Sequence, residues 1–520
     1  MMNSKSFDFA QDKNSKLKLK TKNFLKRFRK EFKDNKIVYI LLFLILSFSA
    51  FFRLYRLNDL LGFWYDQGRD ALVIWDFLHY GKFFLIGPVT GIEGIFLGPF
   101  YYYLLAPFYW LGRGSPVMTA AGLSWLTAAA VFLIYLLGKE IYGREVGLLA
   151  AFLYGFSYDL VVFSRWLANP NPLPFFTLMV LFFLYFFIKG KDKALIAAAF
   201  FIGLCLQIEA ASAIWFLPAT LAILIWQRRI FKKPKILFLA FLAFFVTLLP
   251  QIVFDFRHQG VLRAAFQRFL VGERSFSLSL AQTMRLRLLT YYDVFFGKLS
   301  FGQKWVKIGL LALFSAAFLK FKKTIFSQGG KLLFIWLLTP LLGFLFYRGN
   351  HGYVWDYYFT GVIPAFIILF AAGIYFLAKK NWLFKVALGV FLILFTTSNM
   401  RLIRNYLKTG IGITLRAQLW AINWIYQDVK AEEFNIDAYV PPQIFYAYSY
   451  LFRWYGQTKY GREPETKLVK NLYTLYEPDG EHPQFLQAWQ KRQDTIGRAI
   501  KSDFWGDITV QKRERIKFND

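Results

Sequence analysis

Long uncharged runs of apolar residues, separated by short polar turns, dominate the chain between residues 37 and 400. A helix needs about 20 apolar residues to cross the hydrocarbon core of a bilayer, and by this measure the pattern predicts about eleven transmembrane helices. The predicted spans cover residues 37–54, 117–137, 145–158, 172–188, 194–208, 211–226, 236–254, 303–319, 331–347, 357–378 and 386–399. The pattern therefore predicts an all-α, polytopic membrane protein.

Every second predicted span is followed by a basic turn. These turns lie at residues 139–144, 189–193, 228–235, 320–323 and 379–380. Because Lys and Arg are enriched in cytoplasmic loops, we predict a cytoplasmic N-terminus and an extracytoplasmic C-terminus. Segment 1–36 is too long and too basic for the leader of a signal peptide, so we predict that it is a cytoplasmic tail.

The aromatic stretch 97–112 would invert every later loop if it crossed the membrane. We therefore predict an interfacial helix there, with Tyr101, Tyr102, Tyr103 and Trp110 at the level of the lipid headgroups. It belongs to the long first outer loop, residues 55–116. The transmembrane domain is then predicted to cover residues 37–400.

Residues 401–520 have lower hydrophobicity and mixed charge. Strand-like runs at 434–440 and 507–510 and a helical stretch at 484–491 predict a small extracytoplasmic α/β domain.

Composition supports lipid as the main solvent of the chain. Hydrophobic residues make up 57% and charged residues only 18%, whereas about 25% charge is usual in a soluble domain. The 63 Lys and Arg exceed the 32 Asp and Glu, for a net charge of +31. These basic residues punctuate apolar runs, so we expect membrane lipid and not nucleic acid as a partner. The single cysteine, Cys205, excludes an internal disulfide framework.

Ionisable residues gather at the predicted outer ends of the spans. A transporter or flippase would normally place them at mid-depth, so the pattern favours an enzyme that works at the outer surface. The first outer loop opens with Gly62-Phe-Trp-Tyr-Asp66-Gln67-Gly68-Arg69-Asp70-Ala71. A helix that begins here would have Asp66 at its N-cap, where a carboxylate can accept a proton from a hydroxyl. The alternative is that Asp66 only caps the helix while Arg69 and Asp70 form a solvated pair.

Two further carboxylates are candidates. Asp159 lies in the second outer loop, and if the two loops converge it shares a cleft with Asp66, with a divalent cation or Arg165 between them. Alternatively, Asp159 and Arg165 form an ion pair at the rim. Glu209 separates two apolar runs without a basic neighbour, so its carboxylate needs a partner or a ligand.

The outer loop 255–302 is rich in arginine. We interpret most of it as an amphipathic helix at the membrane surface, with Leu262, Phe266 and Phe269 in lipid. One or two of its arginines could reach a substrate phosphate.

These features together resemble the GT-C glycosyltransferases, and within them family 39, the branch of bacterial enzymes like the protein mannosyltransferases and the aminoarabinose transferases. The resemblance covers residues 37–400. It rests on the basic tail, the acidic pair after the first span, the aromatic helix after Gly98-Pro99, and Asp159 in the next outer loop. It implies a GT-C fold, a plasma (inner) membrane location, and transfer of a sugar from a polyprenyl-phosphate donor to a lipid, glycan or protein acceptor on the outer face, with inversion. Alternatives are a lipid-linked oligosaccharide flippase or transporter, or an oligosaccharide ligase or polymerase.

The resemblance also implies roles for individual residues. Asp66 matches the first acidic residue of the family's Asp-Glu pair and would act as the base, while Gln67 stands where Glu is usual, so any second charge must come from Asp70 or is absent. Asp159 resembles the second acidic site of the fold. In Gly98-Pro99-Phe100, a glycine replaces the family's usual histidine.

The resemblance leaves a metal uncertain. Glu93 would be a ligand in branches that use a divalent ion, or else it is a solvated loop residue. Glu209 stands at a turn where related sequences carry His, so Asp66, Asp159, Glu93 and Glu209 are the metal candidates. Arg165, Arg348 and His351 are the candidates for binding the donor phosphate.

Overall fold

The computed structural model describes residue 31 and residues 33–269, 278–347, 352–441 and 444–516. The predicted cytoplasmic tail therefore lies largely outside the described residues. The helices up to the end of the second outer loop are α1 Lys36–Leu54, α2 Leu57–Leu60, α3 Tyr65–Tyr80, α4 Phe100–Leu111, α5 Pro116–Tyr142, α6 Arg144–Phe156 and α7 Tyr158–Ser164. The next are α8 Leu173–Ile188, α9 Ala194–Ile208, α10 Ala210–Ala213, α11 Phe216–Trp226, α12 Pro234–Arg257, α13 Val261–Gln267, α14 Leu280–Tyr291 and α15 Gly297–Ser300. The last of this part are α16 Lys304–Ile325, α17 Gln328–Phe346, α18 Ile363–Lys380 and α19 Trp382–Thr409.

Each predicted span overlaps one of these helices. Within the described part of the chain, six helices are long and apolar enough to cross a membrane, or seven if α6 and α7, bent by 65°, form one span. The six are α1, α5, α12, α17, α18 and α19. The apolar helices α8, α9 and α10–α11 are shorter. The fold is thus that of a multi-pass membrane protein.

Two predicted spans differ from the helices of the structure, and one helix crosses a predicted domain boundary. The span predicted from residue 357 begins only at Ile363, where Pro364 occupies the first turn of α18, and Asp356–Phe359 form a 3-10 turn. The span 211–226 is broken after Ala213. Helix α19 continues to Thr409, beyond the predicted domain boundary at residue 400. Its apolar run stops at Arg401, but the helix continues because its inward face remains apolar.

Two tyrosines predicted at the headgroups are also misplaced. The interfacial stretch is a helix, α4, and its Trp110 is exposed as predicted. Tyr101 and Tyr102, however, are buried in the protein. They lie on the face of α4 that packs on α3 and α5, and the aromatic pattern alone could not show which face that would be.

The C-terminal part forms the predicted α/β domain. Its elements are α20 Leu415–Val429, β1 Phe434–Tyr439, α21 Tyr446–Leu451, β2 Asn471–Tyr476, α22 Pro483–Ile496, β3 Gly497–Trp505 and β4 Ile508–Arg515. The sheet order is β1-β2-β4-β3, in which β1 and β2 are parallel and the other pairs antiparallel. The predicted strand runs and helical stretch correspond to β1, β4 and α22.

This domain rests on the first outer loop. The amide of Leu415 donates to the carbonyl oxygen of Leu61 at 2.7 Å, and α21 packs against α3. At their contact, a Cβ atom added to Gly68 would lie 2.3 Å from the amide nitrogen of Ala447, so the two backbones approach too closely for any other residue. The helix that carries Asp66 is therefore covered by the C-terminal domain.

Candidate functional site

Helix α3 presents Asp66 at its start. The helix begins after Trp64, whose amide donates to Oε1 of Gln67 at 3.0 Å. Asp66 is therefore not the N-cap, as the sequence suggested, but the second residue of the helix. Its side chain is 57% exposed, whereas Gln67 is buried. The capping role falls to Gln67, which leaves the carboxylate of Asp66 free to face outwards.

Arg69 holds two carboxylates together. Its Nη1 lies 2.8 Å from Oδ1 of Asp66, and its Nη2 lies 2.8 Å from Oδ1 of Asp70. The hydroxyl of Tyr102 also donates to Asp70, at 3.0 Å. Burial raises the pKa of Asp70 to about 6, although the charge of Arg69 acts to lower it. The Arg69–Asp70 pair is thus mostly buried and not solvated, contrary to one of the two interpretations of the sequence.

Asp159, in the first turn of α7, lies near a lysine and not near Arg165. Nζ of Lys298 is 3.9 Å from Oδ2 of Asp159 and 3.7 Å from Oδ2 of Asp356. Burial raises the pKa of Asp159, and the charge of Lys298 partly offsets this. Both distances are too long for a direct hydrogen bond. The Lys298 ammonium is therefore close to two carboxylates without being hydrogen-bonded to either.

Arg165 takes a different position from the one predicted. Its Nη1 donates to the carbonyl oxygens of Phe52 and Tyr55, both at 2.9 Å, and its Nε donates to the hydroxyl of Tyr406 at 3.2 Å. The side chain is buried. The predicted ion pair with Asp159 is not formed, because Arg165 instead ties the second outer loop to the outer end of α1.

Glu209 lies at the turn between α9 and α10 and is buried. Its carboxylate accepts hydrogen bonds from Nδ2 of Asn169 at 3.2 Å and from the amide of Ala211 at 3.3 Å. Burial raises its pKa to about 7 despite these bonds. The sequence predicted that Glu209 needs a partner, and the structure provides Asn169 from the second outer loop.

The phenol of Tyr357 is close enough to carboxylates of several outer loops to be influenced by their charges. Burial raises the pKa of its phenol, and the charges of Glu209, Asp66 and Asp356 act in the same direction. Its ring also lies 6.3 Å from that of Trp166. The loops that carry Asp66, Asp159 and Glu209 thus approach one region around Tyr357.

Three residues of this region were not predicted from the sequence as site residues: Tyr357, Asp356 and Lys298. Tyr357 and Asp356 border the last predicted outer turn, residues 348–356, whose polar residues were the available signal. Lys298 was hidden among the arginines of loop 255–302. Arg348 and His351, the donor-phosphate candidates in that last turn, lie outside the described residues.

The metal candidates do not form a ligand set. Within the described ranges, no three His, Cys, Asp or Glu side chains are grouped as a metal site. Glu93 is exposed in a loop closed by the Val89–Phe96 bridge. Asp66 and Glu209 already have a guanidinium and an amide as partners. A cation shared by Asp66 and Glu209 would therefore have to displace these partners.

The outer loop 255–302 is helical in part, as α13 and α14. Phe266 is exposed, but Leu262 is buried within the protein and not in lipid as predicted. The sequence pattern could not distinguish burial in lipid from burial against neighbouring protein.

Part of the sequence matches a known protein family, and the fold is similar to those of known proteins. A family model described as dolichyl-phosphate-mannose-protein mannosyltransferase matches residues 98–254. The crystal structure of ArnT from Cupriavidus metallidurans bound to undecaprenyl phosphate has a TM-score of 0.58 and 12% identity, covering 92% of this chain and 98% of that one. The apo structure of the same protein has a TM-score of 0.58 and 13% identity, with 92% and 97% covered. The chain has the GT-C fold. The predicted all-α, multi-pass GT-C fold with a small C-terminal α/β domain is confirmed, as is the resemblance to the mannosyltransferase and ArnT-like branch. The predicted number of about eleven spans is not confirmed, because six or seven of the described helices are long and apolar enough to cross a membrane. No curated protein shows significant sequence similarity.

Proposed function

We propose that this protein is a membrane glycosyltransferase that moves a sugar from a polyprenyl-phosphate donor to an acceptor on the outer face, with inversion. The family model and the fold support glycosyl transfer at a membrane as the class of activity. The observation that carries the proposal is the exposed carboxylate of Asp66, oriented by Arg69 at the start of α3. An ArnT structure with bound undecaprenyl phosphate supports a lipid-linked donor.

Asp66 is the proposed general base. The acceptor hydroxyl gives its proton to Asp66 while its oxygen forms a bond to the anomeric carbon. The bond between that carbon and the phosphate oxygen breaks, and the phosphate leaves with the electron pair. A single displacement of this kind inverts the anomeric centre. Arg69 orients the base. The buried Asp70 holds Arg69 in turn, and the hydroxyl of Tyr102 donates to Asp70.

Negative charge grows on the leaving phosphate, so cations must stabilise it. We propose Lys298 for this role because its ammonium is hydrogen-bonded to neither neighbouring carboxylate. Arg348 and His351 remain predicted partners in the same role. Arg165 fits it less well, because its donors are directed to backbone oxygens.

The test is transfer from a panel of radiolabelled polyprenyl-phosphate sugars in nanodiscs. Asp66→Asn should lower the rate by about 10²–10⁴-fold, as expected for loss of a general base, while Lys298→Met should raise the donor KM. Asp76→Asn is the matched control, because Asp76 also lies on α3 and pairs with Lys82 at 2.8 Å, away from the proposed base. Near-normal rates for Asp66→Asn would contradict the proposal.

A further inference from the structure

The turn between β3 and β4 exposes two large apolar side chains. Phe504 is 63% exposed and Trp505 is 41% exposed, and the turn closes through Gly506 and Asp507. Strand β3 is an edge strand, paired only with β4. Because the two side chains adjoin in sequence, they form a contiguous apolar patch, which is a candidate interaction surface. We name Phe504 and Trp505 the hairpin tip.

The hairpin tip lies beside the outer end of the first membrane helix. The ring of Trp505 is 5.7 Å from that of Trp420, and the guanidinium of Arg416 lies 5.6 Å from the Trp505 ring. Nη1 of Arg416 is also 3.8 Å from Oδ1 of Asp59. Asp59 belongs to α2, which directly follows the membrane helix α1. A single arginine therefore connects the hairpin tip to the chain that leaves the membrane.

A stripe of basic residues occupies the end of α19. This end adjoins the same chain segment, because Arg56 donates to the carbonyl oxygen of Leu407 at 2.9 Å and pairs with Asp59 at 3.0 Å. Arg401, Arg404 and Lys408 follow helical spacing and are all exposed. Among the described residues, none of the three forms an ion pair with an acidic side chain. The opposite face of the helix packs inwards through Ile403 and Tyr406. We name these three residues the basic stripe.

We propose that the hairpin tip and the basic stripe together bind the bilayer surface, with the aromatic rings at the headgroups and the cations on anionic phospholipid. Aromatic residues favour this depth, and basic residues beside a membrane helix attract anionic headgroups. The outer end of α19 is also where the positive-inside rule would not place three basic residues, so they need another reason. Both features adjoin the ends of membrane helices, which favours lipid over a soluble partner.

The experiment measures the depth of the tip with a fluorophore. In a Cys205→Ala background, Phe504→Cys is labelled with bimane, and the full chain is placed in nanodiscs of phosphatidylcholine with or without phosphatidylglycerol. Lipids carrying a doxyl quencher near the headgroup report contact. Leu468→Cys is the matched control, because Leu468 is exposed and precedes Asn471, at the end of the sheet opposite to the tip.

With phosphatidylglycerol present, the label at position 504 should be quenched, as expected for a side chain at the boundary of headgroups and acyl chains. The label at 468 should keep its emission. Replacing the basic stripe with Gln should reduce quenching at 504 to its level in phosphatidylcholine alone. Equal quenching at 504 and 468 would overturn the proposal, as would quenching at 504 that is independent of phosphatidylglycerol.

Discussion

Arg69 separates the roles of two carboxylates that lie one helical turn apart. It contacts both at 2.8 Å, but Asp70 is buried with Tyr102 and Asp66 is exposed. A buried carboxylate that shares an arginine serves to position it, whereas the exposed one can meet an acceptor hydroxyl. The different environments of the two residues thus decide which is the better candidate for the base.

Glu209 should make stability depend on pH. Its pKa rises from the ordinary value of 4.5 to about 7 on folding, so the native state binds more protons than the unfolded state between these pH values, and stability falls as pH rises through them. The full difference corresponds to at most about 3 kcal/mol. The melting temperature in detergent should therefore be lower at pH 8 than at pH 5, and Glu209→Gln should reduce that difference. The exposed Glu93→Gln is the control, and an unchanged pH profile in Glu209→Gln would show that Glu209 does not contribute.

A divalent cation should not be required. Asp66 is paired with Arg69, and Glu209 is hydrogen-bonded to Asn169, so a shared ion would have to displace both partners. Treatment with EDTA should leave transfer within about twofold of the untreated rate. Removal of a metal that polarised a phosphoryl oxygen would cost several kcal/mol and would lower the rate far more. Loss of activity that returns on adding Mn²⁺ or Zn²⁺ would instead favour a metal site that includes residues beyond those described.

For individual residues, the sequence predicts contacts between neighbours on one helix better than contacts between distant segments of the chain. Asp66, Arg69 and Asp70 lie within one helical turn, so their spacing alone shows that they are neighbours. The partners of Arg165 come from Phe52, Tyr55 and Tyr406, which no spacing along the chain connects to it. Lys298 meets Asp159 and Asp356 only through the fold.

Helices α3 and α21 are in their closest contact at Gly68. A methyl group there would lie 2.3 Å from the amide nitrogen of Ala447, and backbone atoms cannot move aside as a flexible side chain can. Gly68→Ala should destabilise the protein by about 1–3 kcal/mol, the usual cost of overpacking, and should lower transfer because α3 carries Asp66.

Gly309→Ala is the control for that change, since Gly309 lies in α16 and a Cβ there meets nothing within 4 Å. The measurement is the melting temperature in detergent together with protease sensitivity of the C-terminal domain. Equal melting temperatures for the two variants would show that the contact at Gly68 yields easily.

The elements were predicted well where one physical property decides them. Apolar length predicts the six helices that are long enough to cross a membrane, and alternation predicts β1 and β4. The break after Ala213 was missed because the apolar run continues through it. Pro218, in the first turn of α11, was the available signal, because proline is tolerated in the first turn of a helix but not in its interior. The end of α19 was missed because a helix can continue beyond the membrane once lipid no longer decides its composition.

For the whole molecule, the most fundamental prediction is the orientation of the chain in the membrane. Basic turns predict that the C-terminal domain is extracytoplasmic. Gly480→Cys, at an exposed position without close neighbours, should react with an impermeant maleimide in intact cells when Cys205 is replaced by Ala. Lys191→Cys, in a predicted inner turn, should react only after permeabilisation. The reverse result would place Asp66 on the cytoplasmic side.

The close backbone contact between Gly68 and Ala447 has a consequence for protein engineering. The chain looks divisible near residue 409, where the last membrane helix ends and a compact domain follows. Yet the surface on which that domain rests belongs to α3, encoded more than three hundred residues earlier. A chimaera that exchanged only the C-terminal segment with a relative would join two surfaces that had not been matched. A workable exchange would transfer α3 and the C-terminal domain together. Because Asp66 lies on α3, the proposed base would then be exchanged as well.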